Sequence, residues 1–124
     1  MKTIYFNYIE YIIGQAVDAI FEQDFYHAYK VRFTEIKENA ITYKDSDVFF
    51  QRLRESLKIT LNNLERIKLF DFFFIEDLAP SDKNEDLKEI FFLMWSIFFS
   101  QENWQDESYK NVSFEIDYER YLYL

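Results

Sequence analysis

Apolar side chains fall at Tyr5, Tyr8, Ile9, Ile12, Ile13, Ala16, Val17 and Ile20. Steps of three and four place such residues on one face of an α-helix, so the spacing predicts a helix over residues 4–22. Gly14 lies inside it, at a cost of about 1 kcal/mol relative to alanine. The same period returns over Asp24–Glu38, through Phe25, Ala28, Tyr29, Phe33 and Ile36. It is lost over Asn39–Lys44, which reads as a loop or a short strand. Asp45, Ser46 and Asp47 then offer short polar side chains to the first free N–H groups of a third helix, 46–64. Val48, Phe49, Leu53, Leu57, Ile59, Leu61 and Leu64 form its apolar stripe.

Pro80 is the clearest helix breaker in the chain, and Asp82 with Glu85 has the spacing of a capping box, predicting a fourth helix over 83–100. That helix contains the longest apolar run, Ile90 to Phe99, interrupted only by Ser96. Ten residues are about half of the ~20 that cross a bilayer, and Glu85, Asp86, Glu89 and Glu102 flank the run. A core helix and no membrane span are expected. Met1–Phe6 is followed by Asn7 and Glu10 with no small-residue cleavage site, so no secretory signal is expected and the compartment reads as cytoplasmic.

Two segments have a different texture. Ile67–Ile75 is dense in aromatic and β-branched side chains, which favours a strand or hairpin arm. Val112, Phe114, Ile116 and Tyr118 alternate with Ser113, Glu115 and Asp117, the period of a strand. The expected fold is mainly α: about four helices in one domain, 1–124, with a small β element at about 67–75 and 112–118. A length of 124 residues suits one core, and 27 aromatic residues supply enough apolar surface to exclude ordinary disorder.

The formal charge of −9 is unevenly placed. Residues 1–70 carry 10 basic and 10 acidic side chains, whereas residues 71–124 carry 4 basic and 13 acidic ones. Asp71, Glu76, Asp77, Asp82, Glu85, Asp86 and Glu89 crowd into 19 positions opposed only by Lys83 and Lys88. Glu102, Asp106 and Glu107 form a second group around Trp104, with Tyr109 just beyond. Such a surface either keeps an aromatic-rich chain in solution or receives a basic partner, because single-sign charge speeds encounter and selects partners. Trp104 and Tyr109 are the candidate aromatic anchors. The charge argues against nucleic acid as a ligand, since phosphates need a basic track and Arg52, Arg54, Lys58, Arg66 and Lys68 are interleaved with acids.

Little in the chain resembles catalytic machinery. His27 is the sole histidine and there is no cysteine, which removes thiolate nucleophiles and the usual zinc sites. Asp82–Glu89 has neither the glycine nor the alternating ligands of a calcium loop. Ser46, Ser56 and Ser81 have no histidine placed to activate them, and chance pairs among 23 carboxylates carry no argument. No enzyme activity, no cofactor and no metal are expected.

The runs Ile13–Phe21, Ala28–Asn39, Tyr43–Phe50 with Leu53 and Leu57, and Glu65–Leu69 resemble bacterial immunity proteins of contact-dependent growth inhibition and related polymorphic-toxin systems. The likeness spans roughly residues 8–70 and consists of packing and helix-surface positions; the acidic C-terminal part does not follow it. The resemblance implies a cytoplasmic inhibitor of one cognate toxin C-terminal domain, often a nuclease, and it transfers no catalytic residue. A basic nuclease would meet the acidic face of residues 71–107 by charge complementarity. Two other readings fit the composition: an acidic nucleic-acid mimic that inhibits a host defence complex, and a helical scaffold subunit. Homo-oligomerisation stays open in all three.

Overall fold

The computed structural model describes residues 1–73, 79–81 and 83–119. The chain is mainly helical. Its elements are β1 (Lys2–Tyr5), α1 (Phe6–Gln15), a 3-10 turn (Val17–Phe21), α2 (Phe25–Ala40), α3 (Ser46–Asn62), a second 3-10 turn (Leu69–Phe73), α4 (Asn84–Phe98), a third (Glu107–Tyr109) and β2 (Phe114–Asp117). The four helices match the four expected; α1, α3 and α4 are shorter than predicted, and α2 runs two residues past Glu38.

The predicted helix over 4–22 breaks into three pieces. Lys2–Tyr5 is a strand paired in parallel with β2, Lys2 opposite Phe114 and Tyr5 opposite Asp117. Tyr5 also donates its N–H to Ser56 Oγ at 2.8 Å, which holds it extended at the point where α1 begins. Over four residues an apolar pattern fits a strand as well as a helix, and here the distant partner decides. At the other end, Ala16 and Ala19 are fully buried, and the backbone tightens into a 3-10 turn over them.

The β element is present, but half of it lies elsewhere than expected. Residues 114–117 form the C-terminal strand inside the predicted 112–118, while its partner is β1, not 67–75. Leu69–Phe73 is a 3-10 turn; residues 74–75 of the predicted strand lie outside the described residues. The physical reason is the spacing of its buried side chains. Leu69, Phe72 and Phe73 are i, i+3 and i+4, one face of a helical turn rather than alternate faces of a pleat. Phe72 stacks on Phe6 at 4.7 Å and meets Phe91 edge-on at 5.3 Å, with Phe73 against the same Phe91 at 6.1 Å. Aromatic density here reflects a wedge between α1 and α4.

Helix starts also depart in detail. Asp24 caps α2 by accepting the His27 N–H at 3.1 Å, whereas Asp45 precedes α3 without a side-chain cap bond. Asp82 of the predicted capping box lies outside the described residues. Instead, Ser81 Oγ accepts the Lys83 N–H at 3.0 Å and donates to Asp86 Oδ2 at 2.7 Å, tying the entry of α4 to its first turn. Asn39–Lys44 is the end of α2 followed by a turn, with no strand.

The core is continuous. Helix α3 packs on β1, α1 and α4, and α2 packs on α4 and the first 3-10 turn. Tyr29, Phe33, Phe49, Leu53, Leu57 and Phe91 are fully buried within it. The apolar run of α4 is a core helix, with Ile90, Phe91, Leu93, Met94, Trp95, Phe98 and Phe99 all buried. Among the described residues, no helix is long and apolar enough to cross a membrane.

Candidate partner-binding surface

The structure separates the two acidic groups. The first belongs to α4 and its approach. Glu85 and Glu89 stand one turn apart on α4, both exposed, and Asp86 is half-buried against Ser81. Asp71 is exposed on the 3-10 turn whose Phe72 and Phe73 pack on Phe91 of α4. Lys88 Nζ lies 3.2 Å from Glu85 on the same helix. An exposed pair of this kind is worth at most about 1 kcal/mol and does not remove the charge from solvent. Glu85 and Asp86 also sit in the first turn of α4, where carboxylates favour the positive end of the helix dipole. Glu76, Asp77 and Asp82 lie outside the described residues.

The second group is folded inward. Residues 102–112 lie along α3, whose side chains pair with Glu102 and Asp106, while Glu107 pairs with Lys110 inside the segment. Arg54 Nε donates to Glu102 at 3.1 Å, Lys58 Nζ to Asp106 at 3.2 Å, and Lys110 Nζ to Glu107 at 2.9 Å. Ser108 donates both its hydroxyl and its N–H to Asp106; these bonds, with Lys58 behind them, hold the Asp106 carboxyl below the usual carboxylate range. Tyr109 donates its hydroxyl to Glu55 at 2.6 Å while its ring lies under Lys2 Nζ at 4.0 Å. Burial first, then the bond to Glu55, pushes the Tyr109 hydroxyl up to about 12. Trp104 is half-buried on Phe92 at 5.2 Å. Neither Trp104 nor Tyr109 projects freely into solvent, and Glu102 and Asp106 beside them answer cations of α3.

Two residues with no role in the sequence reading organise this segment. Asn62 donates to the Trp104 carbonyl at 2.8 Å and accepts the Asp106 N–H at 3.3 Å. Asn63 donates to the Tyr109 carbonyl at 2.8 Å and accepts the Asn111 N–H at 3.1 Å. Each also donates to the carbonyl four residues back in α3, at 2.8 Å, so both amides are fully used. Arg66 adds a bond to Asn63 Oδ1 and one of 2.7 Å to the Val112 carbonyl. Asn111 takes φ 53, a left-handed conformation that asparagine tolerates, and this turns the chain into β2. The available signal was the Asn-Asn pair closing an apolar stripe. Beyond β2, Asn7 of α1 donates to the Tyr118 carbonyl and, at 2.9 Å, to that of Glu119.

Of the basic residues set aside as a phosphate track, Arg52, like Arg54, Lys58 and Arg66, is engaged within the fold: it donates to the Tyr8 hydroxyl at 3.1 Å and lies over the Tyr5 ring at 4.8 Å. His27 is exposed, and its N–H serves the Asp24 cap. No group of three or more histidine, cysteine, aspartate or glutamate side chains that could hold a metal occurs among the described residues. The arrangement presents carboxylates at the start of α4 and offers them to positive charge. No protein-family model, curated protein or solved structure matches the chain.

Proposed function

We propose that this chain is a cytoplasmic immunity protein that binds and neutralises a cognate toxin domain, a basic nuclease, through the acidic side formed by Asp71, Glu85 and Glu89. The observation that carries this reading is the contrast between the two acidic groups. Glu102 and Asp106 are matched by Arg54 and Lys58 of α3, whereas Asp71 and Glu89 have no ion pair among the described residues. Charge left unmatched on one side attracts a partner of opposite sign and speeds its encounter. Placed over a nuclease cleft, that side would exclude the nucleic acid by occupying the cationic groups its phosphates need.

Co-expression with the C-terminal domain of the toxin encoded by the adjacent gene tests the proposal. A stable complex and protection of the host cell from that domain are expected. A toxin domain that neither binds the purified chain nor loses activity in its presence contradicts it.

A further inference from the structure

Phe21 closes the first 3-10 turn with 78% of its surface exposed, and it is the only exposed phenylalanine among the described residues. Most of the chain's other described aromatic rings are in the core or packed against it. Its exposure follows from the turn: buried Ala16 and Ala19 lay the backbone close on the core, and the Ala19 carbonyl accepts the Glu22 N–H at 3.2 Å. Residues three apart in a 3-10 turn are nearly eclipsed, so Asp18 stands in the same row as Phe21. Arg32 of α2 fixes that aspartate with Nε at 3.1 and 3.2 Å from its two oxygens. Glu22 and Asp24 follow, both exposed, and Tyr26 is 42% exposed at the start of α2. The corner is an aromatic knob collared by carboxylates.

Phe21 precedes α2, which packs on α4. Helices α2 and α4 pack on each other, and Lys37 near the end of α2 donates to the Ile97 carbonyl near the end of α4 at 2.9 Å. The C-terminal ends of the two helices therefore meet.

We infer that Phe21 is the apolar anchor of the docking surface, seating in a pocket of a basic protein domain whose rim carries lysine or arginine. This rests on the toxin-binding reading and names the residue that holds the complex together. The collar selects the occupant: a second copy of this chain would bring Glu22 and Asp24 against like charges, while a basic rim pairs with them. A bare phenylalanine supplies the area that anchors an interface, and the surrounding carboxylates supply register. Trp104 and Tyr109, the anchors expected from sequence, are already engaged within the fold.

The test is titration calorimetry and stopped-flow binding of the adjacent gene's toxin domain to the full chain, as wild type, Phe21→Ser and Glu22→Lys. The exposed position lets Phe21→Ser keep the wild-type melting temperature, which is measured alongside. Loss of at least about thirty-fold in affinity, carried mainly by faster dissociation, is expected for Phe21→Ser, and slower association for the charge variant. Wild-type binding with Phe21→Ser within about threefold of it overturns the anchor and leaves the toxin-binding reading standing. Absence of wild-type binding overturns both. A homodimer in sedimentation that Phe21→Ser dissolves overturns the basic partner.

Discussion

Asn63 holds Tyr109 to the end of α3: its Nδ2 donates to the Tyr109 carbonyl at 2.8 Å, 46 residues away along the chain. Its Oδ1 meanwhile accepts from Asn111, so a single fully buried amide fixes the backbone on both sides of the turn into β2. A side-chain amide carries the same donor and acceptor as a peptide group, and Asn63 stands where a neighbouring strand would otherwise supply them.

Asn63→Ala should therefore cost about 2–3 kcal/mol, because the buried Tyr109 and Ile59 carbonyls lose a donor while the Asn111 N–H loses its acceptor. Urea unfolding measures the loss. The segment carrying Trp104 should also exchange its amide hydrogens faster than α3 does. A variant as stable as wild type would mean that water replaces the amide at no cost.

Tyr29 makes the opposite case. Its ring is fully buried and its hydroxyl has no hydrogen-bond partner among the described residues. Burial, reinforced by the negative charge of Asp18, raises its ionisation well above the ordinary tyrosine range. Tyr29→Phe keeps the packing and removes an unsatisfied donor, so stability should be unchanged or rise by about 1 kcal/mol. Tyr11→Phe is the contrasting control, since the Tyr11 and Tyr43 hydroxyls bond each other at 2.9 Å. Thermal denaturation of both variants separates the cases, and a destabilised Tyr29→Phe would reveal a bound water at the hydroxyl.

Alkaline pH should unfold the chain earlier than its acidic composition suggests. Burial raises the hydroxyls of Tyr8, Tyr29, Tyr43 and Tyr109, the last to about 12. An unfolded tyrosine ionises near 10, so between about pH 10 and 12 the folded state binds more protons than the unfolded one. Stability is complete below that window and falls as the pH rises through it. Ultraviolet titration of tyrosinate against loss of circular dichroism checks this. Tyr109→Phe should lose less stability across the window than wild type does.

Much of the helical frame was readable because each helix buries a stripe whose spacing stays within a dozen or so residues. The strand at 114–117 was readable for the same reason, from alternation alone. Its partner was not, because Lys2–Tyr5 is four residues long and is paired 112 positions away. Phe72 and Phe73 looked like strand residues because a buried wedge and a buried strand share a composition. The acidic side was legible as charge but not as geometry. Which carboxylates stay unmatched depends on Arg54 finding Glu102 and Lys58 finding Asp106, each pair separated by 48 residues. Phe21 lies inside the predicted helix 4–22 but outside its apolar stripe, and the 3-10 turn over Ala19 leaves it exposed.

Charge reversal should distinguish the two acidic groups. Asp106→Lys faces Lys58 with a like charge and should loosen the 102–112 segment, seen as altered Trp104 fluorescence, because that carboxylate works within the fold. Glu89→Lys should leave melting within about 0.5 kcal/mol of wild type, as for an exposed substitution away from any bonded group.

The rate at which the toxin domain associates with Glu85→Lys/Glu89→Lys, followed by stopped flow as salt is raised, tests the docking surface most directly. The wild-type rate should fall steeply with salt, and the variant should associate about tenfold more slowly at low salt and converge with wild type at high salt. Rates that superimpose across the whole salt range would contradict a docking role for the acidic side of α4.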